Sequence, residues 1–278
     1  MLVVAWFGDG SNPASITIVT SADGTTWDVG EHIFEGLTIG HPSPGPVPSA
    51  IVQLEDGTWQ IYGWAAENAS GSAFWSWRTS APSLDGPWTL DATEMLPPGP
   101  AGDWDSHMAA AAGVQRTENG FLMWYEGEQP GSSNRGDIGL ATSSDGLAWT
   151  KHDDPATTEP PFAGSDPVIP TGTCGAATSI AVEQPQVERA GDGYVALFGG
   201  YGADAEDMGV FGAVSDDGRT WRCGTPEPLL TGSALGGGDG IHTLASIPLE
   251  DGRIGLIAES LVSDHSDLWW ATVELQPE

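Results

Sequence analysis

The sequence predicts an all-β protein built as a five-bladed β-propeller of four-stranded antiparallel blades, and three observations carry that expectation. First, four segments share one pattern: Ser21-Ala22-Asp23-Gly24-Thr25-Thr26-Trp27, Ser83-Leu84-Asp85-Gly86-Pro87-Trp88, Ser143-Ser144-Asp145-Gly146-Leu147-Ala148-Trp149 and Ser215-Asp216-Asp217-Gly218-Arg219-Thr220-Trp221. Their glycines recur roughly every 60–70 residues, the mark of one supersecondary unit used repeatedly. Second, Glu55-Asp56-Gly57, Glu118-Asn119-Gly120, Gly191-Asp192-Gly193 and Glu250-Asp251-Gly252 interleave with the first set at a similar period. Third, the runs flanking these turns are short and either alternate or are wholly apolar, as strands do, and no amphipathic helical stretch of ordinary length competes.

Each part of the unit has a physical reason. Asp-Gly and Asn-Gly supply the positive φ of a tight hairpin, and the Ser or Asp side chain can bond the turn's own backbone. The Trp that follows starts the return strand and packs its ring between layers. The order is therefore strand, Asp/Asn-Gly turn, strand, loop, strand, Ser-x-Asp-Gly turn, Trp strand. The second turn set is bracketed by apolar runs at 49–54 and 59–64, 110–114 and 121–125, 185–187 and 194–198, and 244–249 and 253–258. Repetition of such units head to tail leaves only short, protected sheet edges. The chain of 278 residues reads as one domain with blades at about 1–36, 37–97, 98–160, 161–231 and 232–278. Leu2–Phe7 matches the second strand of the other blades, so the first blade is expected to lack an inner strand and the fifth an outer one.

Composition fits this fold and narrows the function. Hydrophobic content is a modest 39%, offset by 13 tryptophans whose rings bury more area than aliphatic side chains. Glycine (39) and proline (21) scatter at turns, with proline-rich inter-blade loops at 41–48, 97–100 and 155–170. Acidic residues number 39 against 8 basic, and Lys151 is the only lysine. A net charge of −31 repels nucleic acid and anionic membranes, so neither is an expected partner. It reads first as the solvating surface of a halophilic or marine protein, and second as local cation sites. No apolar stretch is long enough to span a membrane, and Leu2–Phe7 is too short for a signal peptide. Cys174 and Cys223 both fall in the fourth blade and read as a disulfide or as two buried thiols. An extracellular or periplasmic location is expected, with the cytoplasm as the alternative, and a monomer or small homo-oligomer.

In a propeller the innermost strands line a central channel, so the residues preceding each inner strand are where chemistry concentrates. These are His41 and Pro42, then Asp103, Asp105 and His107, then Glu183, then Asp239 and His242. Glu183 and His242 stand at one offset before their turn glycines, Gly193 and Gly252, whereas Asp105 stands about five residues further from Gly120.

Phe121-Leu122-Met123-Trp124-Tyr125-Glu126-Gly127 followed by Asp137-Ile138-Gly139-Leu140-Ala141-Thr142-Ser143-Ser144-Asp145-Gly146 and Trp149 resembles a blade of the five-bladed propeller glycoside hydrolases, the arabinanase/β-xylosidase and invertase/levanase groups. Glu183-Gln184-Pro185 resembles their Glu-x-Pro motif, which carries the general acid. Gly240-Ile241-His242 resembles the start of their last blade, whose histidine lies near a central ion, and Trp104-Asp105-Ser106 resembles the segment that places a third carboxylate. The resemblance implies a glycoside hydrolase with a carbohydrate substrate, with Glu183 and Asp105 catalytic. His41 and His107 stand where the sugar would bind, and Trp104 and Trp124 either stack on sugar faces or pack between blades, Trp124 chiefly the latter. His242 and Asp239 would hold a metal. No cofactor is required for the chemistry, and a central Ca²⁺ or other divalent ion is the one expected addition. One departure matters. Such enzymes take a base or nucleophile from the first inner strand in an Asp-Pro context, whereas Asp154-Pro155 and Asp166-Pro167 lie in the connection toward the fourth blade.

Paired carboxylates would act as acid and as base or nucleophile. Two other classes stay open: a carbohydrate-binding propeller without the base, and a metal-dependent enzyme using His107, Glu183 and His242. A sialidase-like propeller fits poorly, since its boxes carry one more residue before glycine and its substrate carboxylate needs an arginine triad that the seven arginines do not supply.

Overall fold

Two of the four repeated turns, at Ser143 and Ser215, fold as their residues dictate; residues 22–25 of the first lie outside the described residues, and at Ser83 the hydroxyl instead donates to the Gly86 carbonyl at 3.1 Å. At Ser143, the hydroxyl accepts the N–H of Gly146 (2.8 Å) while Asp145 Oδ1 accepts those of Leu147 and Ala148 (2.8 and 3.0 Å). Trp149 Nε1 closes the loop on the Gly146 carbonyl at 3.2 Å. The Ser215 turn repeats this bond for bond, through Gly218, Arg219, Thr220 and Trp221. Gly146 and Gly218 hold φ of 72° and 73°, a region open to glycine at little cost. A Cβ on Gly146 would also lie 2.5 Å from the Tyr62 hydroxyl. These backbone donors hold the Asp145 and Asp217 carboxyls below their ordinary range.

The computed structural model describes residues 2–7, 15–21, 26–32, 46–67, 71, 73–131, 136–203, 208–235, 240–249, 251–262 and 265–274. Among them there is no α-helix, and no helix long and apolar enough to cross a membrane. The chain divides into two compact units, 1–130 with 139–166, and 131–138 with 167–278.

In the first unit, β1 (Leu2–Phe7), β2 (Ser15–Thr20) and β3 (Asp28–His32) form a three-stranded antiparallel sheet. The next meander is β4 (Val47–Gln53), β5 (Trp59–Ala66), β6 (Phe74–Ala81) and β7 (Thr89–Ala92). The third is β8 (Met108–Thr117), β9 (Gly120–Glu128), β10 (Gly136–Ser143) and β11 (Thr150–Lys151). The two meanders join through a parallel bridge at Phe74 and Met108. Ser76 reinforces it, donating to the Ala109 carbonyl and accepting the Ala111 N–H, both at 2.8 Å. The core packs Tyr62, Leu96, Trp104, Phe121, Met123 and Tyr125, with Trp149 against it.

Tyr62 is fully buried and donates to Gln60 Oε1 at 2.8 Å. Burial raises its phenol to about 12. Above pH 10 the unfolded chain ionises this group while the folded chain does not, so stability falls as pH rises from 10 through about 12. That difference is worth about 2–3 kcal/mol. Denaturation at pH 8 and pH 11 is expected to show a steeper alkaline loss for wild type than for Tyr62→Phe; equal losses would contradict it.

The second unit holds β12 (Pro167–Ile169), then β13 (Ala181–Ala190), β14 (Gly193–Tyr201), β15 (Gly209–Ser215) and β16 (Arg222–Cys223) as a meander, with β17 (Leu230–Thr231) also on β15. A last sheet is β18 (Ile241–Pro248), β19 (Ile254–Val262) and β20 (His265–Val273). Its core joins Val195, Leu197, Val210, Leu244 and Leu256. Each hairpin expected at Gly57, Gly120, Gly193 and Gly252 is present. Among the described residues the first and last sheets have three strands each.

The two cysteines, open between a disulfide and buried thiols on sequence grounds, are bonded. The bond ties the turn of 3₁₀ helix at Gly175–Thr178, which leads into β13, to β16. A link across 49 residues restricts the unfolded chain strongly, and its loss is expected to cost about 2–4 kcal/mol. Melting with and without dithiothreitol measures this, and an unchanged Tm would contradict it.

Candidate functional site

The segment before β8 carries a buried polar cluster. Asp105 has no solvent exposure. Its Oδ2 accepts from Lys151 Nζ at 2.6 Å, from the Tyr125 hydroxyl at 3.0 Å and from Ser165 Oγ at 3.2 Å. Trp104, 4% exposed, donates through Nε1 to the Ser165 carbonyl and hydroxyl and stacks on Tyr125 at 5.6 Å. Gly127 is required beneath them, because a Cβ there would lie 2.3 Å from the Trp104 ring. Desolvation pulls the Lys151 ammonium below its usual value, with Asp105 opposing, and burial followed by the Asp105 charge pushes the Tyr125 phenol well up. Expected to meet a substrate, Asp105 and Trp104 are instead a packed ion pair and its cover. Trp124, read as a sugar-stacking candidate or, chiefly, as packing, is fully buried in β9.

His107, one position before β8, is pinned on three sides. Its backbone N–H donates to the Glu128 carbonyl at 2.8 Å, and its own carbonyl accepts the Phe74 N–H at 3.1 Å. Its Nε2 lies 2.8 Å from the Gly71 carbonyl. A carbonyl only accepts, so this nitrogen carries the proton and Nδ1 is left to face Glu128 Oε2 at 3.8 Å. Phe74 meets the imidazole edge-on at 5.3 Å and Trp64 at 5.7 Å. Burial pushes the Glu128 carboxyl up, with His107 opposing. Glu126, two residues earlier on β9, shares its strand face and is also half-buried.

Glu126 and Glu128 were not singled out from the sequence as site residues. The signal is the acidic alternation Glu126-Gly127-Glu128 at the end of an otherwise apolar strand. Placing it beside His107 requires the β8–β9 register (Met108 opposite Glu128), which includes an irregularity between Ala111 and Gly113.

In the second unit Glu183 lies near the start of β13 and is half-buried. The β13–β14 register shifts immediately after it: Glu183 pairs with Gly199, and the next pair is Gln186 with Leu197. Gln184, inside the shift, has φ +53°. Its Oε1 accepts the Leu244 N–H of β18 at 3.2 Å.

His41 and Asp239 lie outside the described residues, and of His242 only the backbone, within β18, is described. Glu126 and Glu128, both half-buried on β9, offer carboxylate oxygens of the kind that suit calcium or magnesium.

The all-β fold is similar to the folds of several solved glycoside hydrolases. The complex of BT0996 with RGII matches at TM-score 0.72 and 15% identity, over 99% of this protein and 83% of that one. An endo-arabinase from Bacteroides thetaiotaomicron matches at TM-score 0.70 and 15% identity, over 99% and 90%. A thermostable family-43 glycoside hydrolase matches at TM-score 0.67 and 12% identity, over 99% and 91%. At such identities the likeness speaks to the fold. No family model and no curated protein sequence matches the chain.

Proposed function

We propose that the protein is a five-bladed propeller glycoside hydrolase acting on an oligosaccharide or polysaccharide, with Glu183 as general acid. The observation that carries this reading is the placement of Glu183. The one motif residue that the resemblance assigns to acid catalysis stands beside a bulge in a β-strand, half-buried, in a chain whose fold matches glycoside hydrolases along almost its whole length. Bulges recur next to active sites because they re-aim a side chain. A protonated Glu183 would deliver its proton to the leaving glycosidic oxygen, and an ionised carboxylate would activate water or attack the sugar. Asp105, committed to Lys151, is poorly suited to that second role. The carbohydrate of the RGII complex supports a glycan as substrate class.

A second reading, a carbohydrate-binding propeller without turnover, is favoured by one observation: the carboxylate expected to assist the acid is locked in an ion pair. A panel of aryl arabinosides, xylosides, fructosides and galactosides separates the two. Turnover of one of them, lost in Glu183→Gln, supports the hydrolase; sugar binding without turnover supports the module. The disulfide supports an oxidising compartment, which fractionation of the native host tests.

A further inference from the structure

We propose that Gln184 is a positioning residue for Glu183: its left-handed backbone opens the bulge that turns the carboxylate, and its amide, anchored on β18, holds that bulge in place. The inference rests on the reading of Glu183 as the acid.

Two independent features meet at this residue. The first is conformational. Gln184 is the only non-glycine residue with positive φ among the described residues, and such a conformation in a long side chain persists only where the surroundings impose it. In an unbroken strand, residues 183, 185 and 187 would share one face. That face is buried at Pro185 and Val187. The register passes from Glu183↔Gly199 to Gln186↔Leu197, so residues 184 and 185 together stand against one residue of β14. The extra residue breaks the alternation, and Glu183 is half-buried where an unbroken strand would bury it with its apolar neighbours. Pro185 suits the distortion because it has no N–H to offer the ladder.

The second feature is the anchor. Gln184 Oε1 accepts the Leu244 N–H at 3.2 Å, Gln186 Oε1 the Ser246 N–H at 3.4 Å, and Glu188 Oε1 the Ser246 hydroxyl at 2.7 Å. Alternate side chains of β13 thus form a rail along β18, two of them on its backbone and the third on the Ser246 hydroxyl. Gln184 is the rung nearest Glu183, so the bulge is fastened to a neighbouring sheet by the residue that creates it.

Two variants test this. Gln184→Gly keeps positive φ accessible while deleting the amide, and Gln184→Glu keeps the reach and the acceptor. In Gln184→Gly the Leu244 amide is expected to exchange with deuterium about tenfold faster. On the aryl glycoside that wild type cleaves, kcat is expected to fall by roughly 10–100-fold with KM little changed, as for a misplaced catalytic group. Gln184→Glu is expected to restore both. Wild-type exchange at Leu244, or wild-type kcat, in Gln184→Gly would overturn the proposal. Failure of the underlying reading shows elsewhere: no panel member is cleaved by wild type, or Glu183→Gln retains full turnover. Either withdraws the positioning role with it.

Discussion

Asp105→Ala is expected to destabilise the protein by about 3–5 kcal/mol, because it leaves the Lys151 ammonium buried without its counter-charge. Lys151 is the only lysine in the chain, and its side chain is 14% exposed, so water replaces little of what the carboxylate supplied. The Tyr125 hydroxyl and Ser165 Oγ lose their shared acceptor in the same step. Native stabilities run to about 5–15 kcal/mol, so the variant should approach the limit of folding at 37 °C. Charge and shape can be told apart. The double variant Asp105→Ala/Lys151→Met removes both charges and is expected to be more stable than Asp105→Ala alone, since it is the stranded charge that costs most. Urea denaturation of the four proteins in that cycle measures the coupling. An Asp105→Ala protein within about 1 kcal/mol of wild type would show that the carboxylate is solvated and free for chemistry after all.

Glu183→Gln is expected to lower kcat on an aryl glycoside by roughly 10²–10⁴-fold, the range set by losing a positioned acid. The amide is isosteric and can still hydrogen-bond a sugar hydroxyl, so KM and binding of an unreactive oligosaccharide should change little. A substrate with a leaving group that needs no proton should lose less than one with a poor leaving group. That difference separates loss of an acid from general damage to the site. Full turnover by the variant would exclude Glu183 from the chemistry, and equal losses on both substrates would assign it another role.

Much of this architecture is visible in the chain because hairpins are local. Asp145 and Gly146 need only the next few residues to close their turn, and the same is true of Asp217 and Gly218. Strands between such turns follow from alternation. The candidate site was legible less evenly. Glu183 could be found from a three-residue motif, since its proline and its spacing to Gly193 are both local. Asp105 could not be judged in the same way. Its neighbours Lys151 and Ser165 are 46 and 60 residues away, and only their arrival turns an acidic loop residue into a sealed ion pair. Glu126 and Glu128 escaped notice because acidic residues at a strand end look like solvated ones until His107 is placed beside them.

By itself, then, the sequence determined the repeated meander, its turns and the strands between them, because φ preferences and alternation act over a few residues. The tertiary structure alone decided which carboxylates are spent on the core and which stay half-buried beside an imidazole or a bulge. Desolvation depends on every chain segment that closes over a group, and those segments come from far along the sequence.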